Sequence, residues 1–538
     1  MTNRIRADVL LIACFCAFLF FYGSGQFGLV GADEPRYAQV SREMLERHDV
    51  ITPVLNGRPW LEKPPLYYWQ AMLAYSAMGV SDVAARLPGG LDATLLVIAI
   101  YLFFRRFRRG VEVDAALIAA SCAGVIGYAH AASMDMALAA SFGIGMLAWW
   151  AWIESHRRFY LLAFYFSMGL GMLAKGPVAP FLAGAIIVLF ALVTRQAKLT
   201  IRTLWLPGIF LFLATALPWY VAVQMENPQF FREFILQHNL ARFSSNLYHH
   251  PQPFWYYLPV AALAFVPWTI FVAAACVRTV RTWWAERRTD AAEPDLELQF
   301  GLFAACWLIV PLVFFSFSQS KLPGYILPII PAGAILLALY LRQYLEEESP
   351  QISRWLIIAH ALLASAPLVP ALLVAYAVSE HRLPAGRPMF IALAIAFVLC
   401  AAIALTLASQ RGHRMLRFVT LIPVVLSVAA VLKLGSSAID QTLSTRPLAR
   451  EIAATEMHTL PLAVFGVGRE IEYGLNFYRN QQPVRYEPGS IPPQEHLLVG
   501  RENLQAEIAE QTAGRRVSFL GHYAPQHVDY YWISAAPK

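Results

Sequence analysis

Apolar residues in this chain recur in runs of about 20, the length an α-helix needs to cross a hydrocarbon layer of about 30 Å. Backbone in such a layer must satisfy its own hydrogen bonds, so the runs fold as helices rather than as irregular segments. Thirteen windows fit: 8–24, 84–104, 112–130, 135–153, 159–174, 177–194, 203–222, 254–276, 298–317, 325–343, 355–378, 388–409 and 416–434. Composition agrees, because 58% of the 538 residues are hydrophobic and only 14% charged, against about 25% charged in soluble domains. The expected fold class is an α-helical polytopic membrane protein with about 13 transmembrane helices. Arg4 and Arg6 precede the first run as in a signal peptide, but no convincing small-x-small cleavage site follows, so the run reads as a retained span. All six cysteines lie within apolar runs, which supports neither a disulfide framework nor a Cys-based metal site.

Basic residues orient the spans, because Lys and Arg of short loops stay on the cytoplasmic side. Every second loop is basic, from Arg4 and Arg6 through Arg105–Arg109, Arg157 and Arg158, Arg195–Arg202, Arg278–Arg288, Arg342 and Arg354, to Arg411–Arg417. The N-terminus is therefore expected inside, and an odd number of spans puts the C-terminus outside. The excess of 42 Lys+Arg over 35 Asp+Glu, a formal charge of +7, is read as this topological signal and not as a nucleic-acid surface. Three polar regions fall on the outer face: the loop 25–83, the loop near 223–253 and the tail from about 435.

The tail alternates helical stretches (446–455, 469–479, 502–511) with β-rich ones such as Pro461–Val467, His496–Val499 and Val528–Ile533, which predicts a small α/β domain. The division expected is a transmembrane domain over 1–434 and an outer domain over 435–538. Gly466-Val467-Gly468 lacks the third glycine of a dinucleotide fingerprint, and no nucleotide cofactor is expected.

The outer regions carry more chemistry than solvated loops need. Asp33 and Glu34 stand side by side before Pro35, a placement that would equally suit a helix start. Residues 36–47 follow with helical spacing of Tyr37, Val40, Met44 and Leu45, too short to span and suited to the interface. A second interfacial stretch, Leu66–Met78, is rich in Tyr and Trp. Between them, Glu62-Lys63-Pro64-Pro65 fixes a carboxylate and an ammonium near the lipid surface, although an exposed Glu62–Lys63 pair would by itself contribute little. Asp135, Lys175, Lys321 and Tyr325 lie at further outer span ends, where single charges usually serve as anchors. His238, His249 and His250 lack tight ligand spacing, so the pattern alone favours solvated histidines over a metal site.

Four ordered segments, Gly31-Ala-Asp33-Glu34-Pro-Arg36-Tyr37, Leu61-Glu62-Lys63-Pro-Pro-Leu-Tyr-Tyr-Trp69, Leu173-Ala-Lys175-Gly-Pro177 and Lys321-Leu-Pro-Gly-Tyr325-Ile-Leu-Pro328, resemble the bacterial lipid A aminoarabinose transferase family. That family belongs to the polyprenyl-phosphate-dependent glycosyltransferases of the multi-span C fold and is related to protein O-mannosyltransferases. The resemblance implies a monomeric inner-membrane enzyme that moves a sugar, foremost 4-amino-4-deoxy-L-arabinose, from undecaprenyl phosphate to lipid A or a related outer-face acceptor, with inversion. It also implies roles. Asp33 would be the carboxylate nearest the reacting centre, with Asp135 assisting and Glu34 beside it. Lys63, Arg242 and Tyr325 would hold the donor phosphate, with Arg36, Tyr37, Lys175 and Lys321 around it. Glu62 and His238 would bind a divalent metal, zinc, with His249 as the competing ligand. Transfer of another sugar to another lipid, polymer or protein is the alternative, and a lipid or sugar transporter is the alternative of a different class. A transporter would concentrate its ionisable residues near mid-membrane, whereas these sit at outer span ends.

Overall fold

The computed structural model describes residues 2–234, 252–288, 295–346, 353–378, 387–409, 415–487, 490–512 and 514–536. Among these, seven helices are long and apolar enough to cross a membrane: Asp82–Phe107, Asp135–Ser155, Leu206–Glu226, Leu296–Phe317, Pro323–Gln343, Arg354–Leu373 and Met389–Ala408. Three further helix pairs pass the same test but are bent, so the count reaches ten where the sequence reading expects about 13. The other three expected spans are helical too, at Thr2–Cys16 with its continuation Ala17–Phe21, Arg158–Lys175 and Val178–Val193, but are shorter or less apolar. The protein is a multi-pass membrane protein.

Two of the bends have a common physical cause. Glu112–Ser121 meets Ala123–Ala129 at 63°, and Phe254–Ala264 meets Thr269–Arg287 at 113°. A break inside an apolar layer leaves backbone groups that water cannot reach. Here the breaks satisfy each other, with the Ala123 amide donating to the Val266 carbonyl at 2.8 Å. Gly124 permits that approach, since a Cβ there would lie 3.1 Å from the Ala264 methyl.

The long loop after the first helix lies over the bundle as two short helices, Asp33–Glu46 and Leu66–Met78. A two-residue hairpin of β1 (Val54–Leu55) and β2 (Arg58–Pro59) separates them, turning at Asn56 and Gly57, both with positive φ. The tail forms a second layer. Its sheet contains β3 (Leu462–Phe465), β4 (Val484–Arg485), β5 (His496–Arg501), β6 (Val517–Tyr523) and β7 (Val528–Ile533), in the order β4-β3-β5-β7-β6. β3 runs parallel to β4 and β5, while β7 is antiparallel to β5 and β6. Helices Arg446–Thr455 and Arg469–Arg479 pack on it through Leu448, Ile452, Ile471 and Leu475.

The tail and the loop share one apolar core, in which Tyr37, Tyr67, Tyr68 and Met44 of the loop meet Tyr473 and Phe477 of the tail. Polar contacts reinforce it. Arg446 pairs with Asp82 at 2.8 Å, the Tyr478 hydroxyl donates to Asp82 at 2.6 Å, and Asn476 donates to Asn56 at 2.9 Å.

Candidate active site

Asp33 and Glu34 occupy the first turn of helix Asp33–Glu46, entered through Gly31 at φ 65°. Adjacent residues on a helix point about 100° apart, and the two carboxylates accordingly take different tasks. Asp33 is exposed and pairs with Arg36, one turn on, at 2.6 Å. Glu34 turns inward, accepts hydrogen bonds from the amides of Val30 and Ala132 at 2.8 Å each, and pairs with Arg86 at 2.7 Å. Arg86 is fully buried and also donates to the carbonyls of Ser24, Phe27 and Gly28. Glu34, expected among the catalytic groups, is thus consumed in holding three chain segments together.

Asp135 opens helix Asp135–Ser155 and Lys175 closes helix Arg158–Lys175, and the two form an ion pair. The same ammonium lies 4.5 Å from the centre of the Tyr325 ring. Tyr325 arrives on the tight turn Pro323–Ile329, whose Gly324 is wedged in the site: a Cβ there would fall 2.7 Å from both the Asp135 carboxyl carbon and the Tyr128 hydroxyl. Tyr128 is within electrostatic reach of Asp33, Asp135, Tyr256 and Tyr325. Residues from three separate segments therefore converge on one place. Overpacking of this kind costs about 1–3 kcal/mol, so Gly324→Ala is expected to displace Asp135 or Tyr128. It should lower turnover by about tenfold or more while the protein remains folded by thermal shift; unchanged turnover would show that the spot is slack.

A second patch adjoins this one. The Arg36 guanidinium lies 5.0, 5.2 and 5.5 Å from the ring centres of Tyr37, Trp60 and Tyr473. Burial alone would lower its pKa, but the neighbouring Tyr37, Asp33 and Glu62 raise it, so it stays charged. Burial foremost raises the Tyr37 phenol above its ordinary range, so it stays protonated and can donate. Glu62 and Tyr68 are within reach of the same charges, and Lys63 follows Glu62 half-buried on the same turn.

Lys321 departs from the expected role. It is only 6% exposed, and its ammonium donates to the carbonyls of Ser318 at 2.5 Å and Gln252 at 3.1 Å, which anchors the turn that carries Tyr325. Burial pulls its pKa below the usual lysine value. Arg242, His238 and His249 lie outside the described residues. Among the described residues, no three metal-ligating side chains stand together.

Sequence reasoning missed Tyr128, Trp60, Tyr473 and Arg86. Arg86 did leave a signal, as an arginine at the outer end of a span whose loop should carry few cations. Tyr128 and Trp60 are indistinguishable in sequence from interfacial anchors.

Residues 62–221 match the family model described as dolichyl-phosphate-mannose-protein mannosyltransferase. The undecaprenyl phosphate-α-4-amino-4-deoxy-L-arabinose arabinosyl transferase of Pseudomonas aeruginosa PAO1 is 32% identical over 348 residues, 63% of this chain and 60% of that protein. Its Serratia proteamaculans counterpart is 29% identical over 340 residues, 62% of this chain and 58% of that protein. The chain thus spans about 60% of the length of the curated relatives it matches. The crystal structure of ArnT from Cupriavidus metallidurans bound to undecaprenyl phosphate superimposes with a TM-score of 0.75 at 24% identity, covering 98% of this chain and 99% of that one. The chain has the fold of these transferases. The resemblance carried by the four motifs is borne out, and the ArnT-like fold encompasses the tail as well as the membrane helices, since the superposition covers nearly all of both chains.

Proposed function

We propose that this protein is an inner-membrane glycosyltransferase that moves 4-amino-4-deoxy-L-arabinose from undecaprenyl phosphate to lipid A, with its site and residues 435–538 on the periplasmic side and 1–434 forming the transferase body. The observation that carries this reading is the meeting of Asp135, Lys175 and Tyr325 around Gly324, with Asp33 within electrostatic reach of the neighbouring Tyr128. The names of the relatives and the undecaprenyl phosphate complex of the ArnT structure point to the chemical class of donor.

In the transfer, the bond between the sugar C1 and the carrier's phosphate oxygen breaks, and its electron pair leaves with undecaprenyl phosphate. An acceptor oxygen bonds to C1 from the opposite face, which inverts the centre. Charge grows on the departing phosphate, so cations held near it lower the barrier. Lys175, Lys63 and Arg242 are the candidates, with the Tyr325 hydroxyl as a donor. Lys175 is paired with Asp135, so a bound phosphate would compete with Asp135 for the ammonium. Asp33 faces solvent and would take the proton of a hydroxyl acceptor. For a phosphate acceptor, already ionised, Asp33 would stabilise oxocarbenium character at C1 instead.

A divalent metal, zinc foremost, would use Glu62 with His238, or with His249 in its place. Glu62 suits this as a half-buried carboxylate, and the histidines would complete a set that the described residues lack. Elemental analysis of purified wild type and Glu62→Ala should give about one equivalent and markedly less, respectively; equal contents would remove Glu62 as a ligand.

The deciding experiment gives the purified protein defined undecaprenyl-phosphate sugars with lipid A and follows released undecaprenyl phosphate. Release with aminoarabinose supports the reading. Release only with another sugar or acceptor would change the substrate and keep the reaction class. Lipid movement across vesicles without release would favour a transporter.

A further inference from the structure

The tail domain contributes one side chain to the patch around Arg36. Tyr473 stands on the inner face of helix Arg469–Arg479, is 8% exposed, and belongs to the core shared with Tyr37, Tyr67 and Tyr68 of the first loop. With Tyr37 and Trp60 it completes a three-ring enclosure around the guanidinium. The polar contacts of that guanidinium are few for a group with five N–H donors. One terminal nitrogen reaches Asp33 at 2.6 Å and the Tyr37 hydroxyl at 3.3 Å, while the buried Nε has no hydrogen-bond partner among the described residues. Its direction is therefore set by the rings together with the Asp33 ion pair. Asp33, exposed at 55% of its side chain, has Arg36 as an ion-pair partner.

We propose that Tyr473 is a positioning residue: by closing the ring enclosure on Arg36, the tail domain aims the guanidinium that holds the Asp33 carboxylate. The tail is then a part of the transfer site and not an appendage. This rests on the transferase reading for its catalytic consequence, while its structural half can be read independently of turnover.

The test uses the full-length protein with Tyr473→Ala, Tyr473→Phe and Asn476→Ala. Asn476 lies one turn on and bonds to Asn56, so its loss weakens tail docking without opening the enclosure. An aromatic face over a cation contributes enough to change turnover by about 3- to 30-fold. Tyr473→Ala should lose that much in kcat, with the donor KM nearly unchanged. Tyr473→Phe keeps the ring and should stay within about twofold of wild type, as should Asn476→Ala. In parallel, phenylglyoxal labelling read by peptide mass spectrometry should find Arg36 protected in wild type and Tyr473→Phe, and modified in Tyr473→Ala. Equal kcat in Tyr473→Ala and wild type, an equal loss in Tyr473→Phe, or unchanged Arg36 labelling would overturn the proposal. Wild type that releases no undecaprenyl phosphate from any donor would defeat the transferase reading alone, and the labelling would still decide whether Tyr473 closes on Arg36.

Discussion

Turnover in an Asp33→Asn protein is expected to fall by about 10²- to 10⁴-fold, the contribution typical of a positioned acid or base, with donor binding largely retained. The size of the loss discriminates between two roles. If Asp33 served only as the exposed partner of Arg36, an ion pair of this kind would contribute at most about 1 kcal/mol, a change of about fivefold. Asparagine keeps the shape and can still accept a hydrogen bond from Arg36, so a large loss isolates the carboxylate charge. The measurement is single-turnover release of undecaprenyl phosphate, with Lys63→Ala alongside as the test of phosphate binding. Unchanged release in both proteins would reject this site.

The second large effect concerns stability. Removing one partner of a buried ion pair leaves the other charge uncompensated and costs about 3–5 kcal/mol. Arg86→Met should therefore strip Glu34 of its countercharge and also free the carbonyls of Ser24, Phe27 and Gly28. The expected result is a strong drop in the unfolding temperature and in the folded yield from detergent extracts. Pairing it with Glu34→Gln should recover part of the loss, because the stranded carboxylate is then neutral. A single mutant as stable as wild type would show that the network is dispensable. The contrast with Asp33→Asn matters: the neighbouring carboxylates should fail in different assays, Asp33 in turnover and Glu34 in folding.

Much of the architecture is legible without coordinates because it obeys local periods. The interfacial helix expected over 66–78 is observed as Leu66–Met78, and the tail's expected helix over 469–479 as Arg469–Arg479. The span expected over 254–276 proved less legible. It breaks between Ala264 and Thr269, where its carbonyl serves Ala123, and hydropathy contains no term for that partner.

The candidate site divides the same way. The motifs selected groups that the fold brings together, Asp135, Lys175 and Tyr325 in one place and Asp33 with Arg36 in another, because charges at span ends are costly and therefore conspicuous. They also selected Glu34 and Lys321, which the fold turns inward to carry structure.

What the chain determines by itself is which stretches are helical, which lie in the interface, and which polar groups stand near the outer span ends. Only the tertiary structure decided that Glu34 meets Arg86, that Asp135 meets Lys175, and that a tail tyrosine closes over Arg36. The reason is physical: hydrophobic period and helix propensity act between near neighbours, whereas a buried charge or an unfilled ring face is satisfied by whichever distant segment packing delivers.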